Sequence, residues 1–398
     1  MKAVARISIA GLIIGWLPSA TWISAQETPA AKPKPPFQYQ SGEIAVPAAS
    51  ANEPRVAAFG PETVRAARQY LEDGALSWVR EKSCVNCHTT GPYLSERPAL
   101  SNLLGPPNPE VLADFADSIP EGPAKDADKN GHRYVSGSWT AVWCALGLAE
   151  WDQHVSGKTS PDTDHALRQM MSRQSPDGSF VSYGEVEIPH ITTDFELSLQ
   201  AARALTAAPG WLETLEPGET SDRIAKLKSW LGTAAPKNDF DRILQLQLAH
   251  DLPELVTEAE KETALALLTS LQHEDGGWST RDFSAVADWH YEMSDTVVKL
   301  LASLPDAADP ESDPYLTALA IVLMRQSGVT ADDPRIRRGL TWLKREQRVS
   351  GRWWMHSLYR GNYHYITYIA TAQALKALAL CDELPDVRPA VAGAEKPR

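Results

Sequence analysis

The residues of this 398-residue chain that are best spaced for chemistry are Cys84, Cys87 and His88, in the order Cys-Val-Asn-Cys-His. Two thiols three residues apart can add to the two vinyl groups of a haem, and the adjacent histidine can then bind the iron as proximal ligand. The motif therefore predicts covalently bound haem c. Two alternatives stay open. In the first, the cysteines form a small disulfide loop. In the second, they join His88 in another metal site, although the further ligands that zinc requires are not visible.

The second axial ligand of such a haem is harder to assign. Methionine is a common distal ligand, but none lies between Cys84 and Met170. His132 is the nearest histidine downstream of the motif, and it is the first candidate for the distal position. The haem is accordingly expected to have either two histidine ligands or one. Further histidines that folding can bring close are His154, His190, His290, His356 and His364.

Carboxylates at the starts of predicted helices form a second group of candidates. Asp194 and Glu196 lie in the sequence Thr-Thr-Asp-Phe-Glu, and Asp295 lies in Met-Ser-Asp-Thr-Val-Val. Helix starts favour carboxylates through capping and through the helix dipole. If these helices line a cavity, the same side chains form a polar entrance to it. Both interpretations stay open.

A third group is a run of aromatic and histidine side chains near the C-terminus. Aromatic rings with polar tips often form the wall of a ligand site. Packing where the chain closes on itself is the alternative. The residues are Trp353, Trp354, His356, Tyr359, Tyr363, His364 and Tyr365.

The elements that position these residues are predicted to be helices. Apolar residues recur at helical spacing in several Ala- and Leu-rich segments, and strand-type alternation is scarce. Three helices end in the same pattern: Gln, three residues, Gly, one residue, and an aromatic. Another Ala-rich helix follows each copy, so the unit is a helical hairpin that must stack on its neighbours. The copies are Gln174/Gly178/Phe180, Gln272/Gly276/Trp278 and Gln347/Gly351/Trp353.

The segment from Arg338 to Trp353 resembles the QW motif of triterpene cyclases, and the other two copies are similar to it. This resemblance to the squalene–hopene cyclase and prenyltransferase superfamily implies an all-α fold, an α/α toroid of inner and outer helices. We place the toroid at residues 136–384 and a CxxCH-bearing first repeat at 61–135. The combination also resembles a group of exported bacterial proteins with a CxxCH segment ahead of a squalene-cyclase-like domain.

The acid that starts cyclisation in that superfamily is not recognisable. Class II cyclases protonate an alkene with a DxDD motif, and the chain contains none. The nearest fragment, Asp162 to His165, precedes a predicted helix, where Asp commonly acts as a cap. An active class II terpene cyclase is therefore not expected, and a cyclase-like enzyme acting on a polyisoprenoid stays the weakest alternative.

The N-terminal residues indicate export. Residues 1–25 have a basic start, a short apolar stretch and a plausible cleavage site, which predicts a signal peptide and a periplasmic or otherwise extracytoplasmic protein. Residues 26–60 are predicted to be a Pro/Ala-rich linker and residues 385–398 a disordered tail. No transmembrane span is expected in the mature chain. Cys144 and Cys381 lie in apolar helical patterns and are expected to be core residues. A disulfide between them stays open, because the sequence does not show whether they are close.

The net charge of −13 argues against a nucleic-acid partner, because phosphate binding needs clustered Lys and Arg. The expected partners are a hydrophobic small molecule or a periplasmic redox partner. The sequence thus predicts an exported toroid with haem c that acts in periplasmic redox or ligand binding. A non-catalytic module that binds a lipid or a protein is the main alternative.

Overall fold

The computed structural model describes residues 37–82, 84–86, 88–122, 126–129, 132–135, 137–182, 193–285, 289, 295–356 and 365–389. All its helices and strands belong to one compact unit, Pro36–Arg398. Within these described residues, six helices form an inner ring and six lie outside it. The prediction of an all-α toroid is confirmed.

The inner helices are almost completely buried, and each contacts the next, with α15 closing the ring on α2. The outer helices bury only one face. The inner helices are α2 (Thr90–Glu96), α5 (Ser138–Trp151), α7 (Asp194–Ala207), α9 (Asp239–Asp251), α13 (Pro314–Gln326) and α15 (Tyr365–Ala379). The outer helices are α1 (Pro61–Lys82), α4 (Pro109–Asp117), α6 (Pro161–Ser172), α8 (Glu219–Leu231), α10 (Glu258–Ser270) and α14 (Pro334–Glu346).

Short elements complete the described structure. The helices α3 (Ser101–Leu104), α11 (Asp295–Ala302) and α12 (Pro305–Ala308) lie in connections. Two antiparallel hairpins are formed by β1 (Phe37–Ser41) with β2 (Ile44–Pro47), and by β3 (Asp126–Lys129) with β4 (His132–Val135). No helix in the described ranges is long and apolar enough to cross a membrane.

Side-chain caps begin several of the ring helices. Ser160, Thr193, Asn238 and Asp313 each accept a hydrogen bond from a backbone N–H in the first turn of the helix that follows. Such caps satisfy amides that have no partner inside the helix. Ser160, rather than an aspartate, caps α6, so Asp162 and Asp164 lie in its first turn and are not the cap that the sequence predicted.

The three Gln–Gly–aromatic turns join neighbouring hairpins. In each turn the Gln side-chain amide donates to the carbonyl of the turn's own Gly, at 2.9–3.0 Å, and to a carbonyl at the start of the next outer helix. The second acceptors are Arg223 in α8, Arg335 in α14 and Thr63 in α1, at 2.9, 2.9 and 3.1 Å. Because the third turn reaches α1, it closes the ring between the two ends of the chain.

The aromatic residue of each turn is held in the same way. The backbone N–H groups of Phe180, Trp278 and Trp353 donate to hydroxyl groups on the following inner helix: Ser198, Thr317 and Thr371. The indoles of the two Trp residues also donate to carbonyls ten residues earlier, each at 2.7 Å. Trp353, proposed above as a ligand-wall residue, is fully buried here and has this packing role.

Residues 37–56 are not the linker that composition predicted. The β1–β2 hairpin packs on the ring, where Tyr39 is buried and its ring meets Tyr368 edge-on at 5.8 Å. Further along, the carbonyl of Pro54 accepts a hydrogen bond from Val349, and the amide of Val56 donates to the carbonyl of Gln347. The Pro and Ala content of this segment predicted an extended chain. Its buried apolar side chains pack it on the ring instead.

Two further predicted segments pack on the ring where the structure describes them. In the predicted first repeat, residues 61–135, α2 is an inner helix and α4 packs against α5. At the C-terminus, Val387 is buried and its amide donates to the carbonyl of Leu103, so residues 385–389 are part of the packed structure. The proposed signal peptide and the rest of the proposed tail lie outside the described residues.

Two glycines with nearly the same backbone angle provide a test of ring closure. Gly351 has a φ of 87°, and a Cβ there would overlap the backbone of Ala66 and Ala67 in α1. Gly328 has a φ of 86° and open space around it. We expect Gly328→Ala to cost about 1 kcal/mol from the left-handed conformation, and Gly351→Ala about 3 kcal/mol or more. Urea unfolding of both variants measures the difference, and equal costs would contradict a tight contact with α1.

Candidate functional site

The CxxCH segment lies in the turn of the first hairpin, between α1 and α2. Asn86 organises this turn, because its side-chain oxygen accepts from the amides of His88 and Thr89, at 2.9 and 2.6 Å. The Cys84 thiol is free, and its residue is exposed. The carbonyl of Cys84 accepts from the Trp78 indole at 3.0 Å. Cys87 lies outside the described residues, so its thiol is not placed.

The imidazole of His88 is partly buried against α1. It meets the Trp78 ring edge-on, with 4.9 Å between centroids, and its Nδ1 lies 3.2 Å from the Thr89 hydroxyl oxygen. Burial lowers the pKa of His88 to about 3. The ring is therefore neutral at physiological pH, which is the form that binds a metal.

Two residues distant in sequence, Asp114 in α4 and Cys144 in α5, lie close to the motif. Burial raises the pKa of the Cys144 thiol, and the charges of Asp114 and Cys84 raise it further. Cys144 is a buried free thiol, as expected for a core residue, and Cys381 is free as well. Nothing local in the sequence identifies this neighbourhood, because the side chains come from three different hairpin segments.

Unpaired polar atoms surround the motif. The side-chain amide nitrogen of Asn86 and the indole nitrogen of Trp143 are buried without a hydrogen-bond partner. The Trp143 ring also lies against the start of α2, where a Cβ on Gly91 would come within 2.9 Å of it. Both donors are left without an acceptor. The groups of this segment that fit haem c are the exposed thiol of Cys84 and the neutral imidazole of His88.

Other metal ligands are not assembled in the described part of the chain. No group of three or more His, Cys, Asp and Glu side chains there is arranged to hold a metal ion. Cys87 and the side chain of His132, the proposed distal ligand, lie outside the described residues. The backbone of His132 begins strand β4.

The carboxylates predicted at helix starts separate into different environments. Asp194 accepts the amide hydrogen of Ser182 at 2.7 Å and so holds the turn after Phe180. Asp295 is exposed at the start of α11, which is not a helix of the inner ring, so it does not form the polar cavity entrance considered above. Glu196, in contrast, has the properties of a functional group inside the ring.

One carboxylate oxygen of Glu196 is buried without a hydrogen-bond partner. Burial, together with the charge of the buried Asp241 in the neighbouring helix α9, raises the pKa of Glu196 to about 7. Tyr315 in α13 is also close, because its own pKa is raised well above the ordinary value by burial and by Glu196. Three inner helices thus place their first turns around a carboxyl that is half protonated near neutral pH.

The C-terminal aromatic group is also divided. Trp354 and His356 lie on the wall of an open cleft of about 780 Å³, with 6.2 Å between their ring centroids. Tyr363 and His364 lie outside the described residues, so their part in a ligand wall stays a prediction.

The same cleft contains a chain of polar side chains that the sequence did not reveal. His273 Nε2 lies 2.6 Å from an Asp282 oxygen, and its Nδ1 lies 3.2 Å from the Ser312 hydroxyl. This order resembles an Asp–His–Ser triad, but the Ser312 hydroxyl donates to Asp275 at 2.7 Å. A hydroxyl has a single hydrogen, and Ser312 donates it to Asp275, so His273 is not placed to remove it. We assign these hydrogen-bonded side chains to stabilising the turn.

The raised pKa of Glu196 predicts a pH-dependent stability. Between its ordinary pKa of 4.5 and the folded value of about 7, the folded state binds more protons than the unfolded state. Stability contributed by the neutral carboxyl is therefore lost as the pH rises through this window. Glu196→Gln should raise the unfolding free energy by about 2–3 kcal/mol at pH 8 and leave it unchanged at pH 4.

Urea unfolding at the two pH values measures this effect. Glu216→Gln, a change at an exposed carboxylate, serves as the matched control. It should leave the unfolding free energy unchanged at both pH values. A gain for Glu196→Gln of the same size at pH 4 and pH 8 would contradict the assignment of a raised pKa.

Residues 243–396 match the family model of the squalene-hopene cyclase C-terminal domain. A search of curated proteins gives no match. Among solved structures, ent-copalyl diphosphate synthase from Streptomyces platensis is 16% identical, with 74% of this chain and 50% of that chain covered and a TM-score of 0.43. The chain thus spans about half the length of that synthase. A glycosidase is 13% identical, with 87% of this chain and 94% of that chain covered and a TM-score of 0.40. From residue 243 onwards the chain is similar to the C-terminal domain of squalene–hopene cyclases, and the predicted resemblance to this toroid superfamily is confirmed.

Proposed function

We propose that the protein is an exported toroid that carries covalent haem c and acts in periplasmic redox or ligand binding. The observation that carries this proposal is the CxxCH segment, with an exposed thiol at Cys84 and a neutral imidazole at His88 beside the Trp78 ring. A disulfide loop does not use the imidazole. A zinc site needs further ligands, which the described residues do not assemble.

In this proposal each residue of the segment has its own task. The thiols of Cys84 and Cys87 hold the group by thioether bonds, and the neutral imidazole of His88 binds the iron. Trp78 supports the site from α1, because its indole donates to the carbonyl of Cys84 and its ring packs on His88. When bound, haem supplies one-electron chemistry or an open iron position, depending on the distal ligand.

Export supports the same proposal independently. Covalent attachment of haem c takes place outside the cytoplasm, and residues 1–25 have the sequence of a signal peptide. The exposed position of Cys84 leaves the motif open to an attachment machinery. The partner in this proposal is a periplasmic redox protein.

A second candidate function rests on Glu196. A buried carboxyl oxygen without a partner at the start of an inner helix supports a binding module that holds a hydrophobic small molecule, such as a lipid, by one polar group. A cyclase role for this carboxyl has less support. Protonation of an alkene needs a strong acid, and a raised pKa makes Glu196 a weak one.

The haem proposal is tested by producing the full chain in a bacterial host that matures c-type cytochromes. We expect a Soret band and a reducible α-band that stay with the polypeptide after denaturation, because thioether bonds survive unfolding. Replacing Cys84 and Cys87 together with Ala should remove both bands. Cys381→Ala, which removes a free cysteine outside the motif, should keep them.

The alternatives give different results in the same preparation. A mass that reports an oxidised cysteine pair without haem would support the disulfide loop. Stoichiometric zinc without a Soret band would support another metal site. Either result overturns the haem proposal, while lipid that copurifies with the wild type and is lost in Glu196→Gln would support the second candidate function.

A further inference from the structure

The 780 Å³ cleft lies away from the CxxCH segment, between the second Gln–Gly–aromatic turn and the third. One wall is the segment after Trp278, which includes Arg281. Another part of the wall is formed by the end of α14 with Arg348, followed by Trp354. The cleft is therefore lined by the elements that join the last two hairpins of the ring.

Three side chains on these walls have an N–H group without a hydrogen-bond partner. The atoms are Nη1 of Arg281, Nε of Arg348 and Nε1 of Trp354, and all three are buried. The two arginines are themselves buried, with the side chain of Arg281 exposed by only 4% and residue Arg348 by 8%. Buried donors are almost always paired in folded proteins, so three unpaired ones on one cleft require an explanation.

The remaining atoms of the two guanidinium groups are already fixed. Nε and Nη2 of Arg281 bind the Asp306 carboxylate at 3.1–3.2 Å, and its Cζ lies 4.6 Å from the Trp289 ring centroid. Nη1 of Arg348 donates to the carbonyl of Glu53 at 2.9 Å. Because these contacts hold both groups in place, binding of an acceptor to the unpaired N–H of each would cost little side-chain entropy.

The carboxylates of the cleft are occupied by the protein itself. Glu346 is paired with Arg55 at 2.6 Å and with Arg345 at 3.0 Å. Asp275 accepts from the Trp342 indole at 2.7 Å as well as from Ser312. The acidic residues without such contacts, Asp309 and Glu311, are exposed at the rim.

Charges of both signs surround Arg348. Burial lowers its pKa, the charge of Arg55 lowers it further, and the carboxylates of Glu346 and Glu53 raise it. Since the unpaired atoms are all donors, the missing partner is an acceptor.

We propose that this cleft is a binding site for a small oxyanion, a carboxylate or a phosphate group, either free or as the head group of a small molecule. Arg281 and Arg348 supply charged donors, and Trp354 supplies a neutral donor that orients the bound oxyanion. The site is independent of the haem proposal, because none of these residues contacts the CxxCH segment.

Two tryptophans on the same cleft provide the test. Trp354→Phe removes an unpaired N–H, and Trp342→Phe removes one that is already bound to Asp275. Calorimetric titration with inorganic phosphate, and separately with acetate, should show binding to the wild type that sodium chloride at equal ionic strength does not reproduce. Trp354→Phe should weaken this binding about tenfold, whereas Trp342→Phe should change it by less than about twofold.

Arg348→Lys extends the test to a charged donor, because it keeps the charge and removes Nε. It should also weaken binding, and far-UV circular dichroism checks that each variant is folded. If Trp354→Phe does not fold, Arg348→Lys against Trp342→Phe gives the same comparison. Binding of phosphate alone or of acetate alone supports the site and identifies the head group. No response beyond that to chloride, or equal losses in the Trp354 and Trp342 variants, overturns the proposal.

Discussion

The side-chain amide of a glutamine at the end of an outer helix is the interaction on which the toroid depends. It donates at once to its own turn and to the N-terminal part of the next outer helix, so it fixes both the end of one hairpin and the position of its neighbour. The glycine that follows must lack a Cβ, because the neighbouring helix fills that space. At Gln347 the same contact is made to α1, which turns a stack of hairpins into a ring.

Ring closure places charged groups where an open stack would leave them in water. Arg203 of α7 is buried between Glu96 of α2 and Glu150 of α5, at 2.7 Å from each. Lys376 of α15 binds Glu96 as well. Burial alone would raise the pKa of Glu96, but the two cations lower it to about 2. This cluster joins four inner helices near their C-terminal ends, and removal of one partner would leave a buried charge unpaired.

The sequence predicted those features that local spacing encodes. The turn at Gln347, Gly351 and Trp353 is visible because its three residues act within seven positions. The unpaired donors of Arg281, Arg348 and Trp354 are not, because they meet only after two hairpins pack. The pKa of Glu196 likewise depends on Asp241, 45 positions away. The linker predicted from composition was wrong for residues 37–56, because a few buried apolar side chains pack this segment on the ring.

The fold and the chemistry of this chain are set by different residues. The Gln–Gly–aromatic turns form the ring through backbone carbonyls and hydroxyl groups, and they need no acid, thiol or cation. The groups capable of chemistry occupy positions that these turns leave free: His88 in the first hairpin turn, Glu196 at the start of an inner helix, and Arg281 beside a turn. A squalene-cyclase-like fold therefore does not by itself determine which reactive side chains the ring carries. The squalene-cyclase-like scaffold therefore constrains where a ligand can bind, and the side chains at these positions determine which ligand it is.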